Sequence, residues 1–171
     1  MIETERLLLR KPRPGDAPGL LEAISDPEVM RYIQNGRTGD LAAAERSIER
    51  WLARWEESGV GQFVLERRDD GRFIGRSGFL VWDPDVWEPA PTGETEIGWA
   101  IVRSAWGNGY ATEAALALRD WAIADRGLTR LISLIRPGNE RSVRVAEKIG
   151  ETYEREVMMM GEPAMLYSIV L

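Results

Sequence analysis

The chain reads as an α/β protein with a mostly antiparallel sheet, into which one strand–helix–strand crossover sets a parallel pair. Three observations carry that reading. From Glu94 to Val102 apolar residues alternate: Ile97, Trp99 and Ile101 form one face, and Glu94, Glu96, Gly98 and Ala100 form the other. From about Tyr110 the period changes to three and four, through Ala111, Ala114, Ala115, Leu118 and Trp121, as on one side of a helix. Asp69-Asp70-Gly71 joins two apolar runs as a hairpin, and the last two runs are antiparallel about Gly161-Glu162-Pro163.

The elements follow in order. Thr4 to Lys11 is a first strand, ended by Pro12 and Pro14. Pro14-Gly15-Asp16 starts a helix with Asp16 as its N-cap and Leu20, Leu21 and Ile24 as its buried stripe. Asp26-Pro27 opens a short helix through Met30 and Ile33, and Asn35-Gly36 and Thr38-Gly39 break the chain again. Asp40 to Glu57 is a longer amphipathic helix that turns Leu41, Ala44, Ile48, Trp51, Leu52 and Trp55 inward, its tryptophans read as core. Gly61 to Arg67 and Arg72 to Trp82 are the hairpin strands. Asp83 to Gly93 is a proline-interrupted loop whose Asp85, Glu88, Trp82 and Trp87 offer a place for a cationic amine; the alternative is a solvated loop with two packed tryptophans. Arg130 to Ile135 is a strand stopped by Pro137-Gly138, and Asn139 to Ile149 a helix ended by Gly150. Thr152 to Met160 and Met165 to Leu171 are the closing strands. No internal repeat or linker interrupts residues 1–171, so a single domain is expected.

Composition narrows the chemistry. The 171 residues are 44% hydrophobic and 29% charged, as in a soluble globular protein. No apolar run approaches a membrane span, and Met1-Ile2-Glu3-Thr4-Glu5-Arg6 lacks the layout of a signal peptide. A chain without cysteine holds no disulfide, and a cytoplasmic setting is the expectation. With no histidine and no cysteine, Ser-His and Cys-His nucleophile pairs and the common zinc sites are excluded. A net charge of -6 argues against a general nucleic-acid footprint.

Between the central strand and its helix lies Trp106-Gly107-Asn108-Gly109-Tyr110-Ala111-Thr112. Its glycines can take positive φ and admit a ligand close to the backbone, and the first helical turn presents unpaired N–H groups to an anion. The segment has no Gly-Lys-Ser/Thr ending for a Walker loop and no third glycine for a dinucleotide fingerprint. It resembles the acyl-CoA loop of the GNAT acetyltransferase superfamily, a Gln/Arg-x-x-Gly-x-Gly/Ala pattern carried here by Trp106, Gly109 and Ala111, with Trp106 departing from the usual residue. Thr4-Glu5-Arg6-Leu7, Asp26-Pro27-Glu28-Val29-Met30, Asn139-Glu140-Arg141-Ser142 and Glu147-Lys148-Ile149-Gly150 also resemble signatures of that superfamily. Their order and spacing resemble its ribosomal-protein alanine N-acetyltransferase-like branch.

The resemblance implies the GNAT acyl-CoA N-acyltransferase fold, whose central parallel strands splay apart between flanking helices. Pantetheine would pair with backbone near Ala100, Ile101 and Val102, and the pyrophosphate would rest on the amides of Gly107, Asn108, Gly109, Tyr110, Ala111 and Thr112. Arg141, Arg144 and Lys148 share one helical face and Arg103 lies at the mouth of the loop; they would supply positive charge, the alternative being a solvated basic face. The implied reaction is acetyl transfer from acetyl-CoA to a primary amine by direct attack, with no metal. The acceptor would be a protein N-terminus or a small-molecule amine. A protonated amine needs a base, for which Glu96 stands first and Glu94 second, each with a plain strand carboxylate as its alternative. The departing thiolate needs a donor. Ser142 matches the serine of the family signature, with a helix-capping hydroxyl as its alternative; Tyr153 is a further candidate, and Asn139 would bond the same end of the cosubstrate. After Ile149-Gly150 the family often has Phe where this chain has Glu151. A different class, a noncatalytic acyl-CoA-binding sensor, is the competing reading. Relatives are often dimers, so a homodimer paired through the last strands is one expected arrangement.

Overall fold

In the computed structural model residues 1–81, 87–88 and 94–171 are described, at 81, 87 and 88 by backbone alone. The segment read as an amine-holding loop lies outside the described residues, except that the Trp87–Glu88 backbone forms a short strand within it. The strands are β1 (Ile2–Glu3), β2 (Leu7–Arg10), β3 (Gln62–Arg67), β4 (Phe73–Val81), β5 (Trp87–Glu88), β6 (Thr95–Ile101), β7 (Arg130–Ile135), β8 (Thr152–Met159) and β9 (Glu162–Val170). The α-helices are α1 (Ala17–Ile24), α2 (Pro27–Met30), α3 (Leu41–Ser58), α4 (Tyr110–Arg126) and α5 (Glu140–Lys148). The chain divides by its own packing into two compact units, each built from two segments: Met1–Gly78 with Trp99–Ala114, and Phe79–Gly98 with Ala115–Leu171.

In the first unit the sheet runs β1-β2-β3-β4, each strand antiparallel to the next. Of the first strand expected over Thr4 to Lys11 only Leu7–Arg10 pairs in the sheet, and a short strand, Ile2–Glu3, precedes it; the chain reverses between them, with Ile2 opposite Leu9 and the Thr4 amide donating to the Leu7 carbonyl at 2.9 Å. The final residues of β6 lie against β4, where Val102 N donates to Ile74 O at 3.0 Å. Gly75 makes that approach possible, since a Cβ there would stand 2.2 Å from the Ala100 carbonyl oxygen. Asp40 caps α3 through the Ala43 amide, and Gly59, in the left-handed region at φ 66°, ends it. Ala44 and Ile48 of α3 pack on Ala17 and Leu20 of α1, with Trp51 and Leu52 partly buried around them. Trp55 is core as expected, edge-on to Phe63 at 4.8 Å, whereas Leu41 is exposed. Asp16 does not cap α1. Its carboxylate takes the Arg13 amide at 2.6 Å and pairs with the Arg10 guanidinium at 2.7 Å, closing a 3-10 turn instead.

In the second unit the order is β6-β7-β9-β8-β5. β6 and β7 are parallel, in register at Glu96 opposite Ile132, and the other pairs are antiparallel. Ile132, Val157, Ala164 and Leu166 form the buried centre, with Leu134 and Met159 against them. The last hairpin turns at Met160 and Gly161, both at positive φ, rather than at Pro163, which lies inside β9 opposite Met158.

Candidate active site

The glycine loop belongs to the first unit and is closed by its own side chains. Gly107 and Gly109 stand at φ 82° and 80°, a conformation that side chains with a Cβ rarely adopt. Trp106, the residue that departs from the family pattern, donates its indole N–H to the Ile101 carbonyl at 2.7 Å. The Asn108 amide donates to the carbonyls of Ala105 and Trp106, both at 3.1 Å. Ile101 and Val102 are buried; Gly107, Asn108 and Gly109 are exposed at the head of α4. That is the place where unpaired helix N–H groups and the positive end of the dipole favour an anion.

Two residues that the sequence did not mark as functional hold this loop. Glu113, in the first turn of α4, would by itself repel a phosphate. Its carboxylate instead accepts from Thr4 Oγ1 at 2.6 Å, from the Arg6 amide at 2.9 Å and from Arg6 Nε at 2.7 Å. Burial pushes its pKa up, but these donors and the Arg6 charge outweigh that and hold it below the ordinary range. The same Arg6 donates Nη1 to the Asn108 carbonyl at 2.9 Å and lies 4.8 Å from the centre of the Tyr110 ring. The Thr4-Glu5-Arg6-Leu7 signature thus braces the glycine loop from the start of the chain. Arg103 pairs with Asp26 at 2.9 Å and is still 61% exposed, so part of its charge is already answered.

The carboxylates belong to the second unit, and their surroundings separate them. Glu94 forms an ion pair with Arg130 at 2.9 Å, and Arg130 also holds Glu154 at 2.6 Å. Glu96 is half-buried on β6 opposite Ile132. Glu151, noted from sequence only as a departure, is 2% exposed, and neither carboxyl oxygen has a hydrogen-bond partner among the described residues. Burial pushes its pKa up from 4.5 to about 8; the Ser133 hydroxyl opposes the rise and the charge of Glu96 adds to it. The Ser133 hydroxyl also donates to the Ile97 carbonyl at 2.9 Å.

On α5 the cap is Asn139, whose side-chain oxygen accepts from the Ser142 amide at 3.3 Å. That leaves Ser142 without the capping role, half-buried, and with no hydroxyl hydrogen bond among the described residues. Arg141, Arg144 and Lys148 are exposed on the same helix. Tyr153 is 54% exposed and edge-on to Tyr167 at 5.8 Å. Tyr167, unmarked by its apolar-looking context, is the buried phenol of the pair. Burial first, then Glu147, Glu140 and Tyr153, raise its pKa and keep it protonated. Among the described residues no cluster of acidic, histidine or cysteine side chains is arranged to hold a metal ion, and no helix is long and apolar enough to cross a membrane.

Residues 6–152 match the family model of the acetyltransferase (GNAT) domain. The chain belongs to the GNAT family of acetyltransferases: it is an acyltransferase, and acetyl-CoA is the cosubstrate of that family. The protein YkkB of Bacillus subtilis (strain 168) is 34% identical over 97% of this chain and 93% of its own length. A crystal structure of an acetyltransferase from Agrobacterium tumefaciens str. C58 is 30% identical, with a TM-score of 0.83 over 99% of this chain and 94% of that one. The aminoglycoside acetyltransferase AAC(6')-Ib in complex with coenzyme A shares the fold, at a TM-score of 0.80 and 21% identity over 96% and 94% of the two chains.

Proposed function

We propose that this protein transfers the acetyl group of acetyl-CoA to a primary amine by direct attack, with Glu96 as the base and Ser142 as the donor to the departing thiolate. The observation that carries the reading is the braced glycine loop, whose left-handed Gly107 and Gly109 open the N-terminus of α4 to a pyrophosphate. The protonated amine gives one proton to Glu96, its freed lone pair forms the C–N bond, and as the C–S bond breaks Ser142 gives its proton to sulfur and is reprotonated by the second proton leaving nitrogen. Glu96 is preferred to Glu94 because the Glu94 carboxylate is engaged in an ion pair with Arg130. Ser142 is favoured by its uncommitted hydroxyl, with the neutral Tyr167 and the more exposed Tyr153 as the other donors in the unit. The acceptor class is a protein N-terminus or a small amine, and both belong in the screen.

The experiment is a calorimetric titration with acetyl-CoA, with NADH as the control, followed by thiol release over an amine panel that includes an aminoglycoside and an N-terminal peptide. A chain without cysteine adds no thiol background to that assay. Saturable binding of acetyl-CoA alone is expected. If Glu96→Gln and Ser142→Ala both turn over within a few-fold of wild type, the roles given to these residues are wrong.

A further inference from the structure

The end of β6, where the chain turns into the glycine loop, carries a bond that the proposed mechanism does not use. Ala100 and Val102 lie against β4 by their backbone. The Ala100 carbonyl oxygen comes so close to Gly75 that a Cβ there would stand 2.2 Å from it, and the Val102 amide donates to the Ile74 carbonyl at 3.0 Å. Along a strand the peptide groups of successive residues alternate in direction, so those of Ile101 turn away from β4. Ile101 is buried, and a carbonyl in such a place needs a donor. Trp106 supplies it through its indole N–H at 2.7 Å, five residues further on. The residue that departs from the family pattern thus clips the end of β6 to the loop that follows it.

The surroundings of the bond indicate its use. Between Ile101 and Trp106 the chain folds back on itself, the Ala105 amide donating to the Val102 carbonyl at 2.9 Å and the Trp106 amide to the Arg103 carbonyl at 3.2 Å. Directly beyond lie Gly107 and Gly109, both left-handed. Glycine gives up more conformational freedom than any other residue when one conformation is imposed on it. The Asn108 side chain ties the loop to its own carbonyls at Ala105 and Trp106, and Arg6 ties it to the start of the chain through the Asn108 carbonyl. Arg103 and Ser104 reach outward to Asp26 and Glu22, but Arg103 is 61% and Glu22 44% exposed, so water weakens both contacts. The indole bond is the half-buried one, and it holds the loop to the strand that the loop has just left.

We propose that Trp106 is a positioning residue for acetyl-CoA: its indole bond to Ile101 fixes the glycine loop in its left-handed form before the cosubstrate arrives. The proposal rests on the reading of that loop as the pyrophosphate site. A loop ordered in advance binds more tightly than a loose loop making the same contacts, because the entropy of ordering Gly107 and Gly109 is no longer lost in the binding step. Such help is equal for bound acetyl-CoA and for the transition state of acetyl transfer. Its loss therefore raises KM and leaves kcat alone. Trp106 acts through the loop, and the reacting atoms are left to other side chains.

Trp106→Phe keeps an aromatic ring and removes the N–H. In calorimetry the variant should bind acetyl-CoA about 5–10-fold more weakly than wild type. With an acceptor in hand, KM for acetyl-CoA should rise by the same factor, while kcat at saturating acetyl-CoA stays within about two-fold. Amide exchange read by mass spectrometry on the free protein should be about 5–10-fold faster over residues 105–112 in the variant, and acetyl-CoA should bring both proteins to the same protection. Unchanged affinity overturns the proposal, even if the variant melts lower, because the indole then only packs. Weaker binding without faster exchange overturns it too, since the loop was not ordered by the bond. So does a fall in kcat at an unchanged KM. If the phenylalanine variant does not fold, 3-benzothienylalanine placed at position 106 keeps the shape of the indole with sulfur in place of the N–H, and the same outcomes decide. Wild type that binds no acetyl-CoA would sink the proposed function instead, and exchange in the free protein would still read whether the bond orders the loop.

Discussion

At residue 151 a carboxyl group occupies a buried place where the related family often carries an apolar ring, and the folded chain keeps its proton where an unfolded chain sheds it. Between an ordinary 4.5 and about 8 the unfolded state binds fewer protons than the folded one, so stability falls as pH rises through that window and is flat above it. Each pH step across the window is worth about 1.4 kcal/mol. Glu151→Gln removes the charge and keeps the shape. At pH 8.5 it should therefore melt roughly 9–18 °C higher than wild type, and at pH 5 within about 4 °C of it, by calorimetry or circular dichroism. A uniform difference at both values would mean that the side chain is not protonated in the fold. Glu96→Gln should lower kcat about 100-fold or more with little change in acetyl-CoA affinity, whereas Glu94→Gln, which loses an ion pair, should act mainly on stability.

At the scale of elements, two charged clusters fasten strand to helix in the first unit. Arg6 and Thr4 tie the chain start to the first turn of α4 through Glu113. Arg6→Ala removes that brace and leaves Glu113 as an unanswered negative charge at an anion site, so acetyl-CoA should bind about 10-fold or more weakly in calorimetry. If its affinity is unchanged, the brace has no part in binding. Because Glu113 is held below its ordinary range, its contribution to stability is present at neutral pH and is lost as pH falls towards its folded value. The second cluster is Arg10 between Asp16 and Glu66, with the guanidinium 2.7 and 2.6 Å from the two carboxylates. Asp16 is 9% exposed, so Arg10→Ala strands a buried charge and should cost about 3–5 kcal/mol in urea unfolding. A loss below about 1 kcal/mol would show that water reaches the cluster.

At the scale of the whole molecule the protein is an acidic chain that binds a polyanion. A net charge of -6 gives long-range repulsion, which favourable local contacts with the polyanion must outweigh. Ligand binding to the folded state alone raises stability by mass action, by about 2.7 kcal/mol at a hundredfold excess over Kd. Acetyl-CoA at that excess should raise Tm by about 5–10 °C, and NADH should leave it unchanged. An equal shift with both would point to a general nucleotide site.

Periodicity alone determined most of the elements, because burial of a helix stripe or a strand face leaves a period in the chain. The alternation over β6, the change of period into α4 and the glycine between α5 and β8 all stood in the sequence, and so did the loop at Gly107 and Gly109. The helix starts at Asp26 and Asp40 were legible, and there the side chain accepts from the amide two or three residues on. Asp16, read as an N-cap, makes no cap bond to α1, because its carboxylate answers an arginine on a neighbouring strand. The ion pair of Glu94 with Arg130, 36 residues on, was also closed to the sequence, which sets Glu94 and Glu96 on one side of one strand without it. Glu113 looked like an ordinary helix acid until Arg6, 107 residues earlier, came to rest on it. Glu151 looked like a departure from a pattern until its burial was known. Local order is written in spacing along the chain, but the charge state of a carboxyl group depends on what the fold brings within a few ångströms of it, and that was decided only by tertiary structure.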